Sequence, residues 1–165
     1  MKQHGGHISF RSEEGKGTTF EVTLPRAEGA PQPASEETPA QVSGGRETIL
    51  VVEDEPLVRD MAVEGLRARG YSVLAAENGA HALQLVRQHF GPIDLLITDL
   101  VMPQIGGSEL AGLLEKARPG LRVLYTSGYT ESFDVPKTMR AIGGTFLRKP
   151  YTPTILAQKV REVLD

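Results

Sequence analysis

The sequence predicts a doubly wound α/β domain over residues 47–165, and two observations support this fold class. Short apolar runs alternate with amphipathic stretches of helical period, five times in succession. Two of these runs, 49–52 and 95–97, are apolar on both faces. Such strands belong in the centre of a parallel sheet that helices cover on both sides.

The elements follow in a regular order along the chain. Strands are predicted at 48–52, 72–75, 93–98, 122–126 and 144–148. Helices are predicted at 56–69, 80–90, 107–116, 135–142 and 152–164. Pro56 suits the first turn of its helix, whereas Pro136 predicts a fourth helix that is short or starts late. Five β/α units predict a flavodoxin-like, five-stranded parallel sheet of order 2-1-3-4-5.

The first 46 residues have a different character. Residues 6–11 and 18–24 alternate as strands do, around a glycine-bearing turn at 12–17, which predicts a β-hairpin. An isolated two-stranded hairpin is marginal in water, so this piece is interpreted as the remnant of a larger unit. Residues 26–46 are rich in proline, glycine and alanine without any aromatic side chain, which indicates a flexible linker. The predicted organisation is therefore 1–25, 26–46 and 47–165.

Composition excludes several classes of function. The net charge is −3 without a long basic run, so nothing favours nucleic-acid binding. The absence of cysteine excludes disulfides and thiolate chemistry, and it fits a cytoplasmic location. No apolar run approaches the roughly 20 residues of a membrane span, and the first residues do not resemble a secretory signal. No membrane association of this chain is expected.

Polar residues follow four of the predicted strands. Glu53 and Asp54 follow the first strand, Asp99 the third, Ser127 the fourth and Lys149 the fifth. Each has a structural explanation when taken singly, as a helix N-terminal charge, a strand end, a turn residue or a surface lysine. The carboxyl ends of parallel strands meet at one edge, however, so these side chains are expected to converge. Three adjacent carboxylates repel one another, and a hard divalent cation relieves that repulsion.

The segments that carry these residues resemble a known family. Ile49-Leu-Val-Val-Glu-Asp-Glu-Pro, Leu96-Ile-Thr-Asp-Leu-Val-Met-Pro-Gln-Ile-Gly-Gly, Val123-Leu-Tyr-Thr-Ser-Gly-Tyr and Phe146-Leu-Arg-Lys-Pro-Tyr are similar to the motifs of receiver domains in two-component signalling, in order and spacing. The resemblance implies a receiver that takes a phosphoryl group from a histidine kinase or a histidine phosphotransfer protein. It also implies that the receiver catalyses its own phosphorylation and dephosphorylation with Mg²⁺.

The resemblance assigns a role to each matching position. Asp99 is the phosphoacceptor, and Ser127 and Lys149 contact the phosphoryl oxygens. The implied Mg²⁺ ligands are Asp99, Asp54, Glu53 (through water) and the backbone carbonyl of Val101. Ser127 and Phe146 are the implied switch residues.

Two departures from the family pattern are visible. Gly106 stands where many members have an acidic residue, and Phe146 has no hydroxyl, so a switch there rests on packing alone. Val101 and Tyr129 lie two residues after Asp99 and Ser127, and neither side chain offers a carboxylate or an amide to orient water. Slow self-dephosphorylation is therefore expected.

The N-terminal segment has a resemblance of its own. Gly5-Gly-His-Ile-Ser-Phe, Gly15-Lys-Gly-Thr-Thr-Phe and Val22-Thr-Leu-Pro resemble the last strands of a histidine-kinase ATP-binding domain. The asparagine-bearing helix and the Asp-x-Gly-x-Gly motif of that domain are absent from the sequence. The implied parent is a hybrid histidine kinase, and this chain is not expected to be a kinase by itself.

Three interpretations remain open at this stage. The first is a phosphoacceptor receiver that relays its signal through conformation to another protein. The second is the C-terminal fragment of a hybrid kinase, named for an activity whose ATP site this chain lacks. The third is an interaction-only receiver, which would not need acidic, hydroxyl and ammonium groups at positions 53, 54, 99, 127 and 149.

Overall fold

The computed structural model describes residues 6–25, 44–128 and 145–165. The chain divides into two units, a β-hairpin and a larger α/β domain, and each is described by itself. Among the described residues, no helix combines the length and the apolar character needed to cross a membrane.

The N-terminal unit is a two-stranded antiparallel hairpin, as predicted. Strand β1 (His7–Glu13) pairs with β2 (Gly17–Thr23), and Gly15 and Gly17 adopt positive φ angles of 78° and 95° in and after the turn. Side chains alternate between the two faces of a strand, so the hairpin is amphipathic. Its apolar face consists of side chains that are 49–68% exposed: Ile8, Phe10, Phe20 and Val22.

The larger unit contains a five-stranded parallel sheet. The strands are β3 (Thr48–Val52), β4 (Ser72–Ala76), β5 (Leu95–Asp99), β6 (Arg122–Ser127) and β7 (Thr145–Arg148). They lie in the order β4-β3-β5-β6-β7, which is the predicted order 2-1-3-4-5 within this domain. The predicted doubly wound, flavodoxin-like class is therefore confirmed.

Four helices lie within the described part of this domain. They are α1 (Pro56–Arg67), α2 (Gly79–Gln88), α3 (Gly107–Ala117) and α4 (Pro153–Leu164). Two of them start at side-chain caps, where Asn78 accepts from the His81 amide and Thr152 accepts from the Ile155 amide. The predicted helix 135–142 lies outside the described residues.

Several element boundaries differ from the prediction. Helix α1 ends at Arg67 instead of residue 69, because Gly70 takes φ 92° and donates back to the Arg67 carbonyl. Helix α2 ends at Gln88, so Phe90 lies beyond it with its side chain 99% exposed. Strand β5 runs to Asp99, one residue further than predicted, since Asp99 still pairs with Thr126. The phosphoacceptor candidate is thus the last residue of a central strand.

The core consists of two apolar layers, one on each face of the sheet. Alternate residues of β3 point to opposite layers, Ile49 and Val51 to one side and Leu50 and Val52 to the other. The first layer lies against α1 and α4, and the second lies against α2 and α3. All four β3 side chains are at most 2% exposed, so this strand is buried on both faces.

The start of α3 packs closely onto the end of β5. A Cβ atom added at Gly107 would lie 2.2 Å from the Asp99 carbonyl oxygen and 2.9 Å from Thr98 Oγ1. No side chain fits there without moving the backbone of Asp99. Gly112, in the middle of the same helix, faces open space. Gly107 therefore sets how closely α3 approaches the strand end.

We predict that Gly107→Ala destabilises the domain by about 1–3 kcal/mol, because the methyl group forces the start of α3 away from β5. Gly112→Ala is the matched control in the same helix, and it should raise stability by up to about 1 kcal/mol through helix propensity. Urea denaturation of both variants measures the difference. Equal tolerance of the two substitutions would contradict the close-packing argument.

Candidate functional site

Three carboxylates meet at the carboxyl edge of the sheet. Glu53 and Asp54 directly follow β3, and Asp99 ends the neighbouring strand β5. One carboxylate oxygen from each of the three residues lies within 4.8 Å of the others. Glu53 and Asp99 are buried, at 3% and 9% exposure, whereas Asp54 is exposed. The cluster is thus a buried pair of acids with a third at its mouth.

Lys149 joins the two buried acids. Its Nζ lies 2.6 Å from Glu53 Oε2 and 2.6 Å from Asp99 Oδ2. The lysine follows β7, two strands away from β5, and its backbone amide donates to the Ser127 carbonyl at 3.0 Å. Strands β3, β5 and β7 therefore each deliver one partner of this contact.

Each Asp99 oxygen has its own partner. The Val101 amide donates to Oδ1 at 2.9 Å, and the Lys149 ammonium donates to Oδ2. Thr98 supports the backbone of Asp99, because its hydroxyl donates to the Asp99 carbonyl at 3.2 Å. The carboxylate is consequently held in one orientation at the end of a central strand.

Burial and charge act against each other at this site. Burial raises the pKa of Glu53, and the nearby Asp99 adds to the rise, although Lys149 opposes both. Burial alone would lower the pKa of Lys149, but hydrogen bonds and attraction from Asp99 and Glu53 outweigh it, so that pKa is raised. The Lys149 ammonium is therefore retained, whereas burial makes Glu53 harder to ionise than an ordinary glutamate.

The other predicted residues that the structure describes lie in β6 and β7 or in the loop after β5. Ser127 is the last residue of β6, is 3% exposed, and follows Thr126, whose carbonyl accepts from the Leu100 amide. Phe146 lies in β7 opposite Tyr125 and packs, partly buried, against the α2–α3 layer. Val101 is 55% exposed beside the acids. Tyr129 lies outside the described residues.

Three contributions were not anticipated from the sequence. Arg59 in α1 donates to the Glu53 carbonyl at 2.9 Å, and the Glu55 amide reaches Glu53 Oε1 at 3.4 Å. Gly107 allows α3 to approach the backbone of Asp99, as described above. Arg59 lies one turn into the helix that follows the acidic pair, and this spacing is its only signal in the sequence.

A separate cleft of about 500 Å³ lies at the opposite edge of the sheet. The charged side chains that line it are engaged within the protein. Asp94 accepts from the Thr48 amide, and Arg122 donates to the Leu164 carbonyl. Arg118 donates to the Val86 carbonyl in α2 and to two carbonyls in the loop before β5. This cleft offers less chemistry than the acidic edge, and the candidate site is assigned to the acidic edge.

The acidic cluster fits a divalent cation. Three carboxylates and one ammonium leave two negative charges uncompensated among these four side chains. Hard oxygen ligands with an exposed member at the mouth are what Mg²⁺ or Ca²⁺ requires, and Mg²⁺ commonly keeps waters in the remaining positions. The residues present therefore fit a metal site formed by Glu53, Asp54 and Asp99.

The fold and the acidic site together define a class of protein, and comparison with known families identifies that class. Residues 49–161 match the family described as "Response regulator receiver domain". The chain belongs to this family.

Two sensor kinases are similar over nearly the whole chain. The sensor kinase CckA of Brucella abortus is 37% identical over 173 aligned positions, which cover 100% of this chain and 18% of the kinase. The sensor protein EvgS of Escherichia coli O157:H7 is 32% identical, covering 94% of this chain and 13% of its own length. This chain therefore spans less than a fifth of either relative.

Solved structures and a short relative match the larger domain. The crystal structure of the receiver domain from the hybrid histidine kinase CckA is 41% identical, with a TM-score of 0.61, and covers 72% of this chain and 99% of the solved one. Chemotaxis protein CheY4 of Vibrio cholerae is 26% identical, with a TM-score of 0.65 over 73% of this chain and 100% of its own. The response regulator receiver protein CpdR of Brucella abortus is 30% identical and covers 70% of this chain and 95% of its own length.

We predict that Lys149→Met makes the free energy of unfolding more dependent on pH, in protein kept metal-free with a chelator. Without the ammonium the pKa of Glu53 rises further, so the folded state binds its proton more tightly than the unfolded state does. The contribution of this proton to the free energy of unfolding is then present at low pH. It is lost as pH rises through the interval between the pKa of Glu53 in the unfolded state and its pKa in the folded state. Between about pH 5 and pH 8 the variant should lose about 1 kcal/mol more than the wild type.

Urea denaturation at several pH values measures this difference. Lys159→Met, which removes a lysine from the exposed pair with Glu162, is the matched control and should leave the pH dependence unchanged. Adding Glu53→Gln to Lys149→Met should remove the extra dependence. An identical pH profile for Lys149→Met and wild type would refute the assignment.

Proposed function

We propose that this chain is a phosphoacceptor receiver in which Asp99 takes a phosphoryl group from a phosphohistidine. The observation that carries the proposal is the setting of the Asp99 carboxylate. One oxygen is held by the Val101 amide and the other by the Lys149 ammonium, beside two further acids. A carboxylate fixed in this way is oriented for attack on a phosphorus atom.

The reaction exchanges one bond for another. A carboxylate oxygen of Asp99 attacks the phosphorus, an oxygen–phosphorus bond forms, and the nitrogen–phosphorus bond of the donor breaks. The product is an acyl phosphate on Asp99 and a free imidazole on the donor. Charge on the transferring group is the main obstacle, so fixed positive charge and hydrogen-bond donors are what the site must supply.

Lys149 and Ser127 are the proposed contacts of the phosphoryl oxygens. The Lys149 ammonium already lies against Asp99 Oδ2, the position next to which a phosphoryl group would be attached. Ser127 ends the neighbouring strand and offers a hydroxyl at the same edge. Mg²⁺, bound by Glu53, Asp54, Asp99 and the Val101 carbonyl, would supply further positive charge to the phosphoryl oxygens when present.

We infer that Ser127 and Phe146 transmit the change to the surface. Ser127 and Arg148 pair in register, so Phe146 lies in the strand next to the one that carries the hydroxyl. Movement of the hydroxyl toward a phosphoryl oxygen would alter the packing between β6 and β7. The proposed partners are a histidine kinase or histidine phosphotransfer domain on the input side and another protein on the output side.

The hairpin supports a hybrid-kinase origin for the chain. Both sensor kinases align over nearly the entire sequence, whereas the receiver protein CpdR matches 70% of it. We propose that residues 1–25 derive from the end of a kinase ATP-binding domain, that residues 26–46 link it to the receiver at 47–165, and that this chain is not a kinase by itself. The exposed apolar face of the hairpin agrees with an element that evolved to pack against more protein.

An interaction-only receiver is the second candidate, and the site argues against it. Burying Glu53 and Asp99 together with Lys149 carries a desolvation cost, which an apolar core of similar volume would avoid. A receiver without chemistry gains nothing from this cost.

We predict that incubation with acetyl phosphate and Mg²⁺ adds one phosphoryl group to the chain and that Asp99→Asn abolishes the addition, because the amide is not a nucleophile. Intact-mass spectrometry measures the product, and beryllofluoride with Mg²⁺ provides a second, non-covalent probe. Asp60→Asn, an exposed aspartate in α1, is the matched control and should be labelled like the wild type. An adduct that persists in Asp99→Asn would refute the central assignment.

We predict that Val101→Asn shortens the lifetime of the acyl phosphate by about tenfold, since an amide at this half-exposed position can orient an attacking water. The decay of the phosphorylated chain after removal of acetyl phosphate measures the rate. Val101→Leu has nearly the shape of asparagine without its polar atoms and should not accelerate the decay. Equal rates for the two variants, also after Tyr129→Glu is added, would contradict the water-orientation argument.

A further inference from the structure

Thr126 carries a buried hydroxyl without a regular hydrogen bond. The residue is 1% exposed, and its Oγ1 has no hydrogen-bond partner of regular geometry within the described structure. Its side chain lies on the same face of β6 as Leu124, because side chains alternate along a strand. A buried hydroxyl that stays unpaired is unfavourable, so a nearby donor or acceptor is expected.

Tyr151 places a phenol on the same face of the sheet. It follows Lys149 by two residues and packs, partly buried, against the apolar layer that includes Leu124 and Leu147. Leu147 is the residue that pairs in register with Thr126. Burial raises the pKa of Tyr151 to about 12, while Lys149 and the Thr126 hydroxyl both act in the opposite direction. Tyr151 therefore packs on the face of β6 and β7 that carries the Thr126 side chain, two residues after Lys149.

We propose that the Tyr151 hydroxyl donates a hydrogen bond to Thr126 Oγ1 and that this pair positions Lys149 for its contacts with Glu53 and Asp99. The segment from 149 to 151 is then attached to β6 at two successive residues. The Lys149 amide is held by the Ser127 carbonyl, and the Tyr151 side chain is held by Thr126. Neither Tyr151 nor Thr126 touches the reacting atoms, so both are positioning residues.

The need for such a pair follows from the flexibility of lysine. Four rotatable bonds separate the Lys149 backbone from its ammonium, which must nevertheless lie 2.6 Å from two different carboxylates. Fixing the backbone on both sides of Lys149 reduces the number of conformations that miss these partners. Loss of the pair should therefore weaken the contact of the ammonium with a phosphoryl group or its analogue. This consequence rests on the proposed phosphoacceptor function.

A double-mutant cycle with Tyr151→Phe, Thr126→Val and the double variant tests the pair. Each single variant should weaken beryllofluoride binding in the presence of Mg²⁺ by about five- to tenfold, and the double variant should be no weaker than either. Thr126→Ser retains the hydroxyl and should bind as the wild type does. Tyr71→Phe, which removes another buried hydroxyl at the opposite edge of the sheet, is the matched control and should leave beryllofluoride affinity unchanged.

A second readout separates this proposal from the phosphoacceptor function. In metal-free protein, the NMR signal of the Lys149 ammonium should shift or broaden in Tyr151→Phe and in Thr126→Val, but not in Thr126→Ser or Tyr71→Phe. If wild type fails to bind beryllofluoride, the proposed function fails, and the ammonium signal still decides whether the pair positions Lys149. Additive losses in the cycle, a Thr126→Ser variant as impaired as Thr126→Val, or an unchanged ammonium signal would each overturn the pair.

Discussion

The contact of one ammonium with two buried carboxylates is the interaction on which the organisation of this domain depends. Lys149 reaches Glu53 and Asp99 only because the strands that carry them end at the same edge of a parallel sheet. A shift of β7 by one residue along β6 would turn Lys149 to the other face and leave the acids without their counter-charge. The site therefore forms only in this register of the sheet.

The apolar layers fix the register of the sheet, and the same packing buries two of the acids at its carboxyl edge. Residues 49–52 of β3 are buried on both faces of the sheet, which fixes where Glu53 follows the strand. Gly107 allows α3 to pack closely against the backbone of Asp99 at the end of β5. Burial at this edge raises the pKa of Glu53. A cation bound beside such a buried acid would stabilise its ionised form.

Much of this architecture was predictable from the sequence, for physical reasons that differ between elements. Strands such as 49–52 are apolar on both faces, and helices such as 56–67 have a single apolar stripe, so their class and order follow from periodicity. The convergence of residues 53, 54, 99 and 149 followed from the rule that parallel strands end together. The exact ends of helices did not, because Gly70 and the sequence after Gln88 act through local hydrogen bonds that periodicity does not report. The roles of Arg59 and Gly107 were missed because both residues act through contacts with the backbone, which leave little pattern along the chain.

The two edges of the sheet differ in how completely their charged side chains are paired. This difference distinguishes charged residues that stabilise the fold from those of the candidate site. At the amino edge, Glu47 accepts from Arg161, Asp94 accepts from the Thr48 amide, and Arg118 donates to three carbonyls, so these charges tie loops and helix ends together. At the carboxyl edge, three carboxylates lie together, and the one ammonium among them contacts only Glu53 and Asp99. A cleft of about 500 Å³ lies at the amino edge, yet an additional charged ligand would have to displace existing hydrogen bonds there. At the acidic edge a divalent cation would complete the charge balance, so an incomplete charge balance indicates function better here than the presence of a cleft does.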